Sequence, residues 1–353
     1  MMAACKQAGF GHVMSATFWH RNLPRVWQQK GLVARLLWPV AALAAAWVRL
    51  RRWRHARGDS PVARLPVPVL VVGNFTVGGS GKTPLTIALV REMSARGWRV
   101  GVVSRGHGRQ GVAPRSVAPN DRPDAVGDEP LLLARDTGVP VWVGQARADA
   151  ARALLAAHPE VDLIICDDGL QHLALARDVE IALQDERGLG NGWLLPAGPL
   201  REPVRPVDWR VHTGAQPPAE AGLVWAQRVL HDTLVNGHGQ TWTLQAAQGQ
   251  PVDAVAGIGH PEGFFALLRA RGLQLAHAWP RPDHHDYQDD PVGSPERPLL
   301  CTHKDAVKLW RTQPQAWAVG MDLRLPPSFC DALSARLHER AARLSLAHGH
   351  QTA

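Results

Sequence analysis

From residue 66 onward, short apolar runs alternate with segments whose apolar positions recur every three or four residues. "VPVLVVGN" is an unbroken apolar run and reads as a buried strand, and residues 83–95 read as a helix. "WRVGVVSRG" is a second strand. "DEPLLLARDTG" predicts a short helix stopped by glycine, "PVWVG" a strand, and "ARADAARALLAAHP" a helix closed by Pro159. "VDLIICDDG" and "VEIALQDE" are two further strands. Apolar strands alternating with helices predict an α/β fold with a mostly parallel sheet covered on both faces. Ligands then gather at the carboxyl ends of the strands.

The pattern breaks at "GPLREPVRPVDWRVHTGAQPPAE", which is rich in proline and turn residues. A domain boundary is expected there, dividing a segment 59–215 from a smaller α/β unit, 216–326. In the second unit "LVWAQRVLHDTLVNGHGQTWTL" reads as hairpin strands. "VDAVAGIGHPEGFFALLRARG" and "RPLLCTHKDAVKLW" each read strand, turn, helix. A last helix begins at Pro327, within a tail 327–353, and its pattern does not say on which unit it packs.

The first 58 residues differ in kind. No Asp or Glu precedes Asp59, and Arg49, Arg51, Arg52, Arg54 and Arg57 crowd into "RLRRWRHAR". Upstream lies "LLWPVAALAAAWV", an uncharged run of about 13 residues, shorter than the roughly 20 that span a bilayer. Leu36, Val40, Leu43, Trp47 and Leu50 share one helical face, and Trp19, Trp27, Trp38, Trp47 and Trp53 are scattered through the segment. A basic amphipathic helix bearing tryptophan suits the interface of an anionic membrane. The same pattern also fits a helix packed on the protein with solvated arginines.

The whole chain has 353 residues, a formal charge of +8 and 45% hydrophobic residues, as a globular chain with a large core does. No known nucleic-acid motif accompanies the basic charge, so no nucleic-acid partner is expected. The four cysteines are far apart and form no CxxC pair, which disfavours a disulfide framework and suits a reducing compartment.

Chemistry concentrates where strands end. "TVGGSGKT", covering Thr76, Val77, Gly78, Gly79, Ser80, Gly81, Lys82 and Thr83, follows a strand and opens a helix. Such a loop cradles a phosphate chain with backbone N–H groups, its lysine reaching the β- and γ-phosphates and its hydroxyl ligating Mg²⁺. The usual pattern has glycine where Thr76 stands. A second anchor for Mg²⁺ is expected at a neighbouring strand tip, where "DDGLQH" supplies Asp167 and Asp168. Arg105 and Arg109 of "SRGHGR" either neutralise phosphate charge or lie on the surface. Asp128 and Glu129 of "GDEP" fall at a helix start, where acids also serve as caps. In "PDHHDY", His284 and His285 stand between carboxylates, either as metal ligands or in a His–Asp pair that tunes a base.

Together "VGNFTVGGSGKTP", "SRGHGR", "GDEP", "DDGLQH", "LLPAGPLREP", "AGIGHPEGFF", "PDHHDY" and "THKDAVKL" resemble the tetraacyldisaccharide 4'-kinases of lipid A biosynthesis, in the family's order. The family's own loop carries threonine at the Thr76 position, and its N-terminal segment is membrane-associated. The resemblance implies a P-loop NTPase-like domain, a second, smaller α/β domain, and ATP with Mg²⁺. The acceptor it implies is an acylated glucosamine disaccharide 1-phosphate, and the product lipid IVA. The location is the cytoplasmic face of the inner membrane. It implies Lys82 and Thr83 on phosphate and metal, Asp167 or Asp168 on metal, and Asp128 as catalytic acid-base residue. A histidine of the DHH stretch, taken as His285, would support Asp128. Arg105, Glu129, Arg147, Gln171, Glu202, Asp283 and His284 would form the supporting set. Three positions depart from the family pattern: His107 stands for a frequent Tyr, His260 for Asn and His303 for Glu. A membrane-associated P-loop ATPase acting on a protein partner is the alternative.

Overall fold

The computed structural model describes residues 26–78, 81–109, 111–214, 216–282 and 285–349. Of the expected site residues, Gly79, Ser80, Asp283 and His284 lie outside the described residues, as does Trp19.

Two sheets organise the chain. The first contains β1 (Val69–Asn74), β2 (Val100–Ser104), β3 (Arg115–Ser116), β4 (Val141–Val143), β5 (Leu163–Cys166), β6 (Val179–Gln184), β7 (Trp209–His212) and β8 (Leu223–Trp225). Their order is β3-β4-β2-β5-β1-β6-β7-β8, parallel throughout except for β3 against β4. Successive side chains of a strand face opposite ways. Leu70 and Val72 of β1 therefore enter one core and Val69 and Val71 the other. A strand apolar on both faces belongs inside a sheet covered on both sides, which is where β1 lies.

The helix Lys82–Ala95 covers one face with Leu85, Leu89 and Met93. The helix Arg147–Ala157 covers the other through Ala150, Ala151 and Leu154. The last helix, Pro327–Gly349, adds Phe329, Leu333 and Leu337 to the first core, so it belongs with the first sheet. Trp98 fixes it there, donating from Nε1 to Ser334 Oγ at 3.0 Å and stacking on His338.

The second sheet contains β9 (Gln227–Asn236), β10 (Thr241–Thr243), β11 (Val252–Ala256), β12 (Leu275–Pro280), β13 (Leu299–Thr302) and β14 (Trp317–Arg324), in the order β10-β9-β14-β13-β11-β12. The chain changes sheet between Trp225 and Gln227, later than the expected 215/216. "LVW" was expected in a hairpin with the strands after it. It pairs in parallel with β7 instead (Val211 beside Val224), because Val224 packs on the first core. The hairpin is formed by β9 and β10 alone.

The N-terminal helix runs from Leu32 to Ala56, about 37 Å at 1.5 Å per residue. Ala34, Ala41 and Ala45 are buried, while Leu36, Leu43 and Trp47 are 72%, 74% and 62% exposed. Small residues let one side lie close on the body, and the large apolar ones point away from it. Arg52 pairs with the buried Glu202, and Arg51 donates to the Gln171 carbonyl at 3.3 Å. The helix is therefore seated on the loops after β5 and β6. Its mean hydropathy reaches 1.5, enough by length and composition to cross a membrane.

Candidate active site

Parallel pairing sets the site. β1 lies between β5 and β6, with Val71 beside Cys166 and Asn74 beside Leu183. The loop after β1 is thus flanked by the tips of both neighbours. Thr76 forms an antiparallel bridge with Leu200, and Val77 N donates to Pro199 O at 2.9 Å. Thr76 sits in a short strand pairing that any residue adopts, so glycine is not required there. Gly78 and Gly81 do need glycine, with φ of +99° and +88°. Gly81 begins the helix that carries Lys82 and Thr83.

Asp167 and Asp168 follow β5. Asp167 is fully buried and accepts from Thr86 Oγ1 at 2.9 Å and Ser104 Oγ at 3.4 Å. Burial first, then the negative charges of Glu129 and Asp168, push its carboxyl up to about 7. A divalent cation at this tip would relieve that repulsion, so these residues fit a Mg²⁺ ion. Asp168 has φ +47°. Lys82 Nζ lies 4.0 Å from its Oδ1, and Arg201 donates to Oδ1 at 2.8 Å and Oδ2 at 3.4 Å. Burial opposes the charge of Asp168, but Lys82 and Arg201 outweigh it and hold the carboxyl below its ordinary value.

The supporting residues assemble around this tip. The buried Arg147 donates to the Asp168 carbonyl at 3.1 Å. Gln171 Nε2 donates to Asn74 O at 3.0 Å and to Glu202 Oε1 at 2.9 Å. Arg105 is exposed, and its charge is felt at His172. Burial, then Arg147, Arg177, Arg51 and Arg105, push the His172 imidazole down to about 4, so it is neutral at pH 7.

Asp128 and Glu129 start the helix Asp128–Thr137. They share with Gly81, Lys82 and Thr83 the wall of a cavity of about 330 Å³ between the two sheets. The far wall includes His260, His303, Lys304 and Lys308. Lys308 Nζ is 3.9 Å from Asp128 Oδ2. His260 and His303, two of the three departures from the family pattern, thus face the phosphate loop across this cavity, while His107 is exposed on the loop after β2. His285 lies outside that wall. Its Nε2 is 3.0 Å from Asp290 Oδ2, and its ring meets Tyr287 edge-on at 4.8 Å. The His–Asp pair formed by His285 is local to its own loop, and the expected contact with Asp128 is not among the hydrogen bonds it makes.

Arg201, Lys308, Thr86 and Ser104 escaped the sequence reading. Arg201 adjoins Glu202 in "PLREP", and Thr86 lies one turn beyond Thr83 on the same helix, so both had a signal in stretches already singled out.

A loop of this kind between parallel strands, with acids at the adjacent tip, defines a P-loop nucleotide-binding protein of the α/β class. Residues 33–338 match the family model described as "Tetraacyldisaccharide-1-P 4'-kinase". A tetraacyldisaccharide 4'-kinase of Acidovorax sp. (strain JS42) is 51% identical over 323 residues, 90% of this chain and 94% of that protein. The one from Polaromonas naphthalenivorans is 48% identical over 340 residues, 94% of this chain and 98% of that protein. The crystal structure of LpxK from Aquifex aeolicus in complex with ATP superposes with a TM-score of 0.72 at 28% identity, over 88% of this chain and 99% of that one. The chain belongs to the tetraacyldisaccharide-1-P 4'-kinase family.

Proposed function

We propose that this chain transfers the γ-phosphoryl group of ATP to the 4'-hydroxyl of a tetraacyldisaccharide 1-phosphate, giving lipid IVA at the cytoplasmic face of the inner membrane. The observation that carries the reading is one cleft wall holding Lys82 and Thr83 of the phosphate loop together with Asp128. The names of the relatives, and the ATP in the Aquifex protein, support donor and acceptor alike.

Phosphoryl transfer passes through a loose transition state, so positioning and charge neutralisation carry most of the catalysis. The sugar oxygen attacks the γ-phosphorus, the bond to the β-bridging oxygen breaks, and ADP leaves. Gly78, Gly81 and the start of the helix cradle the phosphates. Lys82 gives up its loose 4.0 Å contact with Asp168 and turns its charge to the β- and γ-oxygens. Mg²⁺, when bound, would supply positive charge that neutralises the phosphates. Thr83 and the carboxylates of Asp167 and Asp168 would hold it. Asp128 takes the proton of the attacking hydroxyl, and Lys308, 3.9 Å from its Oδ2, orients the carboxylate.

The exposed face of the N-terminal helix supports an interfacial mode, with one side seated on the body and the other in lipid. Its arginines then meet anionic headgroups. A membrane-associated P-loop ATPase acting on a protein partner shares the loop and the apolar helix face, but the match to the family described as "Tetraacyldisaccharide-1-P 4'-kinase" does not favour it.

The test is incubation of the purified protein with γ-labelled ATP and the disaccharide 1-phosphate. Label in a lipid product that Lys82→Ala fails to form is expected. Label found only as inorganic phosphate would overturn the reading.

A further inference from the structure

The N-terminal helix ends in a basic stretch whose arginines divide by direction. Arg49, Arg51, Arg54 and Arg57 are exposed, while Arg52 is half-buried. Arg52 follows Ala45 by about two helical turns, so it falls on the face that Ala41 and Ala45 seat against the body. There Arg52 Nη1 donates to Oε2 of Glu202, whose side chain is buried. Arg205, another cation close by, gives its Nη2 to Glu180 at 2.6 Å, and its Nε stays 4.0 Å from Glu202.

Glu202 passes the contact inward. Its Oε1 accepts from Gln171 Nε2 at 2.9 Å, and the second hydrogen of the same amide goes to Asn74 O at 3.0 Å. Asn74 is the last residue of β1, where the phosphate loop begins. Arg51 donates to the backbone carbonyl of the same glutamine. Two adjacent arginines of the helix thus fix Gln171, one by its main chain and one, through Glu202, by its side chain. The chain just before the helix is tied to the same region. Asn191 N donates to Trp27 O at 2.7 Å and Trp27 Nε1 to Pro196 O at 3.0 Å, while Pro199 and Leu200 of that loop pair with Val77 and Thr76. A loop whose backbone donors must meet a phosphate chain binds best when its root is fixed beforehand, because ordering it on binding costs free energy.

We infer that Arg52 is a positioning residue of the nucleotide site: through Glu202 and Gln171 it fixes the root of the phosphate loop, so the helix with the exposed apolar face also prepares the loop for ATP. The inference rests on the proposed ATP-dependent reaction and adds to it a support that reaches the loop from the N-terminal helix.

The experiment is calorimetric titration of ATP and of AMP into the full-length protein, with thermal melts alongside. The variants are Arg52→Ala, Arg52→Lys, Gln171→Ala, the double variant Arg52→Ala with Gln171→Ala, and Arg54→Ala. Arg52→Ala is expected to raise the Kd for ATP at least about fivefold, about 1 kcal/mol. AMP, lacking the outer phosphates, changes less than about twofold, about 0.4 kcal/mol. Arg52→Lys recovers part of the loss, because a cation still meets Glu202. Gln171→Ala raises the Kd for ATP by a similar factor, and the double variant loses no more than the larger single loss, because the two residues act in series. Arg54→Ala removes the same charge from an exposed position and keeps the wild-type Kd for ATP. A lower melting temperature in Arg52→Ala with an unchanged Kd for ATP would make the ion pair purely structural and overturn the inference alone. Equal losses for ATP and AMP, losses that multiply in the double variant, or an equal loss in Arg54→Ala would do the same. Failure of the wild-type protein to bind ATP would overturn the proposed reaction and this inference together. If Arg52→Ala does not fold, Gln171→Ala decides: ATP affinity equal to wild type would contradict the role.

Discussion

Arg201 meets both carboxylate oxygens of Asp168, at 2.8 and 3.4 Å, across 33 residues of sequence. Arg201 N also donates to Phe75 O at 2.7 Å, so the same residue braces the start of the phosphate loop. Asp168 is thereby held whether or not Lys82 is present. Lys82→Ala is expected to leave the melting temperature close to wild type and to cut kcat to less than a tenth, a loss exceeding about 1.4 kcal/mol. Paired activity and melting measurements check it.

Asp128 Oδ2 lies 3.9 Å from the Lys308 ammonium of another element. Asp128→Ala should lower kcat far more than it raises the KM for ATP, since a proton acceptor acts in the transition state. Lys308→Ala should be milder, and the double variant should lose less than the product of the two effects, because contacting residues do not act independently. Steady-state kinetics on the three variants check this, and a loss expressed mainly in the KM for ATP would make Asp128 a nucleotide or metal ligand.

Burial of Asp167 predicts a stability that depends on pH, and a cation bound at this strand tip would change that dependence. Its folded value of about 7 exceeds the ordinary 3.8, so between these values the folded state holds a proton that the unfolded state has released. The stabilisation from that proton is complete at low pH and is lost as pH rises toward and through 7. Without divalent cation, Asp167→Asn should therefore melt higher than wild type at pH 8, and the two should converge toward pH 4. Mg²⁺ with a nucleotide should raise the melting temperature of wild type at pH 8 more than that of Asp167→Asn. Melting curves over a pH series, with and without Mg²⁺ and nucleotide, check both.

Much of this site was legible because its parts are contiguous. A strand, a glycine loop and a helix stand side by side in sequence, and Asp167 and Asp168 end another apolar strand, β5. Arg201 was not legible as a partner of Asp168, since the contact depends on the bridge between Thr76 and Leu200. The sheet assignment of "LVW" also needed tertiary packing, because periodicity does not distinguish a parallel edge strand from a hairpin strand. The N-terminal helix showed its apolar face in sequence, but of the alanines that seat it Ala41 and Ala45 looked like part of the same apolar run, and Ala34 lies before that run.

That seating guides the membrane experiment. Deleting the helix would strip Arg52 from the buried Glu202, and losing one partner of a buried pair costs about 3–5 kcal/mol. Leu36→Gln with Leu43→Gln and Trp47→Gln removes the exposed apolar face and keeps the ion pair. The triple variant should sediment less with anionic liposomes than wild type while binding ATP unchanged, and both should release further as salt rises. Full sedimentation of the triple variant would place the membrane contact elsewhere.

The central claim is that phosphate moves to a lipid hydroxyl and not to water. The direct measurement is ADP formation with and without the disaccharide 1-phosphate, alongside counts of labelled phosphate in the lipid product. The account predicts ADP and labelled lipid in equal amounts, and ADP formation falling at least about a hundredfold, about 2.7 kcal/mol, when the acceptor is left out. ADP released at the same rate without acceptor would contradict it.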